Sequence, residues 1–140
     1  MHRIDRDAPT FITRLPDGFE DTDDLQTVIP LGFALLRRQE PDLAVSMLSR
    51  AVALEPSNAV AHRCLGLACS SLGWYDAAEV QFRRAYELNA RDGENSFNLA
   101  VLLSTRLPPR IDEAREWYER ALSLGVARDP GLDRLLKVRN

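Results

Sequence analysis

Cysteine, histidine, lysine and long apolar runs are all scarce in this chain of 140 residues. No stretch approaches the ~18 consecutive apolar residues of a membrane span, because Arg or Glu interrupts every periodic segment. The N-terminal MHRIDRDAPTF alternates charges and offers no apolar run for a secretory signal. A soluble, cytoplasmic protein without a membrane span is expected. The two cysteines, Cys64 and Cys69, stand five residues apart in a helical stretch. Five residues of helix rise about 7.5 Å, beyond the usual reach of a disulfide. They read as reduced thiols, with Cys69 buried as a small apolar group. No third Cys or His stands at ligand spacing, and His2 and His62 are isolated, so neither a metal nor a cofactor is expected.

Catalytic signatures are missing as well. There is no Gly-rich phosphate loop, no GxSxG elbow and no Cys with a His partner. Glu113, Glu116 and Glu119 read as a solvated helix face with Arg115 and Arg120 as partners. The acidic run Asp17, Glu20, Asp21, Asp23 and Asp24 breaks calcium-loop order, because Gly18 follows the first Asp at once and no glutamate closes it. Trp74 and Trp117 read as packing residues. The expected protein is not an enzyme.

Composition narrows the class further. With 45% apolar and 28% charged residues and a net charge of −3, the chain has enough apolar surface to fold. Residues 1–24 hold seven acids and three Arg, a net of −4, and the remainder sums to +1. No clustered basic face exists, so no nucleic-acid partner is expected. Seventeen of the eighteen basic residues are Arg, which suggests a G+C-rich, bacterial coding sequence.

What is present is a repeat. A shift of 34 aligns Leu31 with Leu65 and Leu99, and Gly32 with Gly66 and Ala100. It also aligns Ala44 with Ala78, Leu48 with Phe82, Ala51 with Ala85, and Leu54 with Leu88. Ala114, Tyr118, Ala121 and Leu124 continue the series after two extra residues, which fall in Arg106–Arg110. Within one unit, Leu65, Cys69 and Leu72 form the apolar stripe of a helix. Gly73 supplies a stop, and Ala78, Phe82, Ala85 and Leu88 form a second stripe. Gly66 and Ala78 are small where two antiparallel helices must approach. Asp24, Ser57 or Asn58, and Asp92 are the expected helix caps, with Pro41 and Pro130 in first turns.

The stretch Leu65-Gly66 through Gly73-Trp74-Tyr75-Asp76-Ala77-Ala78 to Phe82, Ala85 and Leu88 resembles the tetratricopeptide repeat. The resemblance implies an all-α fold, a right-handed superhelical stack of antiparallel helix hairpins. It places three repeats at about 25–58, 59–92 and 93–128, after an acidic N-terminal extension, 1–24, and before a C-terminal capping helix, 129–140. The slot that the family fills with a large aromatic holds Val28, His62 and Ser96, so His62 is expected to be packed and hydrogen-bonded. The first turn carries Glu40-Pro41-Asp42 in place of a glycine.

The resemblance also implies a groove lined by the first helix of each repeat. Its slots are Ile29, Phe33, Leu36 and Arg37, then Arg63, Leu67 and Ser70, then Glu94, Phe97, Val101 and Ser104. The family's carboxylate clamp is not reproduced, since Ile29, Phe33, Cys64, Glu94 and Asn98 occupy its basic and amide slots. A groove of this kind suits a protein or peptide partner with apolar anchors. The expected function is a non-catalytic adaptor, scaffold or assembly factor. Two alternatives stay open, a chaperone of the type III secretion translocator kind and a regulatory piece of a larger enzyme system. Phe11, Ile12, Leu15 and Phe19 form an apolar cluster in the acidic extension. Residues 9–20 are therefore expected to pack on the repeats, drawn to the groove beside Arg37 and Arg63, in the same chain or swapped into a homodimer.

Overall fold

The computed structural model describes residues 25–139. The expectations for Asp24 and for residues 9–20 fall outside them. Seven helices follow in order: α1 (Leu25–Arg37), α2 (Pro41–Leu54), α3 (Ala59–Ser71), α4 (Tyr75–Leu88), α5 (Gly93–Thr105), α6 (Ile111–Ser123) and α7 (Pro130–Leu136). The described residues contain no strand. Helix starts repeat the sequence period. The starts of α1, α3 and α5, at Leu25, Ala59 and Gly93, are one period apart, as are those of α2 and α4, at Pro41 and Tyr75. Only α6, at Ile111, begins two positions late. The two extra residues lie in the connection between α5 and α6. There Leu107 is 94% exposed, and Arg110 N–H donates to Leu103 O at 2.9 Å across the base of the loop.

Local chemistry sets the boundaries. Asn58 Oδ1 accepts from Ala61 N–H, Asp92 Oδ1 from Asn95 N–H and Asp129 Oδ1 from Leu132 N–H. Each bond satisfies one of the donors that a helix start leaves without a partner. Pro41 and Pro130 occupy first turns, where a missing N–H costs nothing. Gly73, at φ +78°, turns the chain out of α3, and Trp74 N–H closes back on Cys69 O at 2.9 Å. The equivalent turn after α1 has no glycine. Gln39 takes the left-handed conformation instead, at φ +61°, while Glu40 N–H returns to Leu35 O at 2.8 Å. Backbone bonding imposes the same turn whether or not the residue favours it.

The chain divides into two compact units, the first ending at Leu88 and the second beginning at Asn89. In the first, α1 packs on α2, α2 on α3 and α3 on α4, and α1 also touches α3. Ala44, Leu48, Ala51, Leu65, Ala78, Phe82 and Ala85 are buried along these contacts. In the second, α5 packs on α6 and α7 lies against α6. Gly32 and Gly66 mark the closest approaches. A Cβ added at Gly32 would sit 2.7 Å from Leu48, and one at Gly66 would sit 2.6 Å from the Phe82 ring.

The short helix α7 is tied to α6 by polar bonds as well as by buried Leu132 and Leu136. Tyr118 Oη donates to Asp133 Oδ1 at 2.7 Å and accepts from Asp129 N–H at 2.8 Å. Arg128 pairs with Asp133 at 3.1 Å, and Arg115 Nε donates to Leu136 O at 2.6 Å. The Tyr118 hydrogen bond, helped by Arg128, holds the Asp133 carboxyl below its ordinary range. Burial, and then the bond to Asp133, push the Tyr118 phenol up.

This packing makes the glycine contact and the α7 tether testable. Gly66→Ala drives a methyl into a ring that is itself buried, and it is expected to lower stability by about 1–3 kcal/mol. Chemical denaturation measures the loss, and Phe82→Leu in the same chain should recover part of it. Asp133 has a lowered folded pKa, so its contribution is present above the unfolded carboxylate value of about 3.9 and lost as pH falls through the lower folded value. The Tm difference between the parent and Asp133→Asn is therefore expected at neutral pH and should vanish in acid.

Candidate functional site

The site begins with the first helix of each hairpin. On α1, Ile29, Phe33 and Arg37 recur every four residues, with Leu36 beside them, and so share one face. On α3, Arg63, Leu67 and Ser70 do the same. Phe33 is 41% exposed, Arg37 is exposed, and Ile29, Leu36, Arg63, Leu67 and Ser70 are half-buried. α1 and α3 touch one another.

At the N-terminal ends of these two helices the surface opens into a pocket of about 660 Å³, lined by Leu25, Gln26, Ile29, Pro30, Glu55, Asn58 and Val60. Ile29 is the one predicted site residue in this lining. Leu25, Pro30 and Val60 complete its apolar wall, and Gln26, Glu55 and Asn58 give it a polar rim. Val60 is 43% exposed. Sequence reasoning missed it although the signal was present: Val60 stands three residues before Arg63 and seven before Leu67, on the same face of α3. Leu25 carried the same signal, four residues before Ile29 on α1, whereas Pro30 carried none.

In the second unit the predicted residues fare differently. The Phe97 ring lies 6.4 Å from the Tyr118 ring, tilted by 59°, and is half-buried there. Val101 is half-buried, and its carbonyl accepts from Ser104 Oγ at 2.9 Å. Ser104 itself is buried, so its hydroxyl is spent on its own helix. Glu94 is exposed and Asn98 half-buried.

The remaining reactive groups have structural surroundings. His62 is buried, with Nε2 2.7 Å from Pro56 O and Nδ1 2.8 Å from the Gln81 side-chain amide. A carbonyl only accepts, so Nε2 carries the proton toward Pro56. The atom placed against Nδ1 is Gln81 Oε1, and the opposite orientation of that amide would turn its NH2 to donate to Nδ1. Histidine thus fills the large slot and ties α3 to α4. Cys64 and Cys69 are buried and form no disulfide, and burial pushes the Cys69 thiol up to about 12, leaving little nucleophilic thiolate. Arg115 pairs with Asp112, Glu113 with Arg110, and Arg120 lies 4.5 Å over the Trp117 ring. Among the described residues no group of three or more His, Cys, Asp or Glu could hold a metal ion. No described helix is long and apolar enough to cross a membrane.

Comparison with known proteins places this geometry. The tetratricopeptide repeat family matches residues 65–92, covering α4 and most of α3. The crystal structure of MamA is 26% identical, with a TM-score of 0.69, over 82% of this chain and 64% of that one. The chain thus spans just under two thirds of that structure. A point mutant of MamA gives 26% identity and a TM-score of 0.65, over 76% of this chain and 77% of the other. The first repeat domain of Spaghetti (RPAP3), bound to the HSP90 peptide SRMEEVD, has a TM-score of 0.74 at 18% identity, over 84% and 94% of the two chains. The translocator chaperone SycD of Yersinia enterocolitica has a TM-score of 0.68 at 19% identity, over 82% and 77%. At these last two identities the likeness is one of fold. A comparison with curated proteins returned no match.

Removing the His62 imidazole would leave the Pro56 carbonyl and the Gln81 amide without partners beside a void. His62→Ala is therefore expected to cost about 1–3 kcal/mol or more. Thermal and denaturant unfolding measure it.

Proposed function

We propose that this chain, a tetratricopeptide-repeat protein, is a non-catalytic interaction module that holds an apolar peptide or helix of a partner protein against α1 and α3. The carrying observation is the pocket bounded by Leu25, Ile29, Pro30 and Val60. One turn further along α1, Phe33 keeps 41% of its surface in water. Apolar walls with a polar rim suit one Leu, Ile or Phe anchor, and the next exposed residues of the row suit a second. Phe33 and Ile29 in place of basic and amide side chains leave a terminal carboxylate without donors, and such an ion does not desolvate cheaply. The neighbour that carries an HSP90 peptide shares the fold, and that peptide is acidic. The apolar wall here favours a ligand of the opposite character.

The test is selection from a random peptide display library on the full chain, followed by binding of the enriched peptides to Val60→Glu and Phe33→Glu. Both positions are exposed, so folding should survive the change. Enrichment of peptides with two or three spaced apolar anchors is expected, with at least about tenfold weaker binding to both variants, the scale of losing an anchoring contact. Enrichment of acidic C-terminal sequences that bind all three proteins equally would overturn the reading.

A further inference from the structure

The pocket at the starts of α1 and α3 has one ionisable group in its lining, Glu55. Glu55 is exposed, and among the described residues its carboxylate has neither an ion pair nor a hydrogen bond. Other glutamates of the first unit differ. Glu40 lies 3.5 Å from Arg38, Glu79 2.9 Å from Arg83 and Glu87 3.1 Å from Arg84. Around Glu55 the sequence offers no such partner, since no Lys or Arg stands between Arg50 and Arg63.

A second source of negative potential lies at the same place. Glu55 is the residue on which α2 ends, and the last turn of α2 carries no basic side chain. The carbonyls of that turn are the negative pole of the helix. Pro56 has no N–H to give to Val52 O. The N–H of Asn58 goes to Glu55 O, at 3.1 Å, and so leaves Leu54 O without it. The positive pole at the start of α3 is met by its own cap, because Asn58 Oδ1 accepts from Ala61 N–H at 3.0 Å. The carboxylate and the end of α2 therefore face the pocket together, with Leu25, Ile29, Pro30 and Val60 as its apolar wall.

Resting on the pocket as the peptide site proposed above, we infer that the partner segment held there carries an arginine next to its apolar anchor. The anchor meets the wall, and the guanidinium meets Glu55 and the end of α2. A lysine ammonium would balance the charge as a compact point. The five N–H donors of a guanidinium can reach both carboxylate oxygens and a helix carbonyl together. A neutral neighbour would displace water from Glu55 without replacing its hydrogen bonds, and an acidic one would add like-charge repulsion.

The probe is the best-enriched peptide from a random display library selected on the full chain. It is synthesised with arginine, lysine, citrulline or glutamate at the position beside its anchor. Fluorescence anisotropy measures each peptide against the parent, Glu55→Gln and Val60→Ser, the last of which thins the wall without changing charge. Glu55 is exposed and supports no other residue, so Glu55→Gln should keep the helical circular dichroism of the parent. Arginine should be enriched at that position. Its replacement by citrulline should weaken binding to the parent about fivefold or more, the scale of a partly exposed charged hydrogen bond. Lysine should fall between the two, and glutamate should bind most weakly. On Glu55→Gln the arginine and citrulline peptides should bind within about twofold of each other, the coupling that a direct contact produces. Peptides that need Val60 but show no arginine preference, or keep it on Glu55→Gln, would overturn the arginine contact and leave the apolar site standing. No enrichment, peptides without an apolar anchor, or binding indifferent to Val60→Ser would overturn the pocket as a peptide site and the contact with it.

Discussion

How closely two antiparallel helices can approach governs this molecule. Where α1 meets α2 and α3 meets α4, one helix contributes a residue with no side chain and the other a large apolar group that fills the space. Gly32 faces Leu48, and Gly66 faces Phe82, at distances that exclude even a methyl. The pairing is reciprocal, since the ring or isobutyl group is buried only because the glycine admits it. A hairpin closed in this way still has apolar sides. In the first unit those sides are buried by the next hairpin, through α2 on α3 and α1 on α3. Contacts between successive first helices bring Ile29 and Val60 to one pocket wall, so the site is a by-product of the stacking.

Polar groups in this fold mostly secure junctions. His62 and Gln81 join the two helices of one hairpin, with Pro56 O as the outer partner. Tyr118, through Asp133, and Arg115, through Leu136 O, fasten α7 to α6. The same slot of the repeat therefore carries Val28, buried and apolar, in one copy and a hydrogen-bonded histidine in the next. Either solution leaves no buried group without a partner at that point, whereas the third copy places Ser96 there, buried and with no hydrogen-bond partner for its hydroxyl.

Much of the fold was legible in the sequence because spacing carries it. Caps at Asn58 and Asp92, prolines at Pro41 and Pro130, and the stop at Gly73 are chemical choices visible residue by residue, while the cap at Asp129 was not singled out. The turn at Gln39 was not, since its left-handed backbone is imposed by the bond from Glu40 to Leu35 and not by the residue itself. The site was partly legible. Helical spacing placed Ile29 and Phe33 on an accessible face and holds Leu25 and Val60 in the same rows, yet Pro30 joins the pocket wall only where the two helices meet. Nor could it show that Ser104 turns its hydroxyl to Val101 O.

The connection between α5 and α6 shows where the length of this chain is not governed by packing. Its base is closed by the bond from Arg110 to Leu103, and its tip, at Leu107, touches almost nothing. Every other interval between corresponding helix starts holds to the repeat period, whereas the one from α4 to α6 has drifted two positions beyond it. A segment that has already absorbed two residues without disturbing either flanking helix is a natural splice point. Reporter sequences or affinity handles inserted at Leu107–Pro109 would ride on the surface, and evolution has the same freedom to lengthen the protein there.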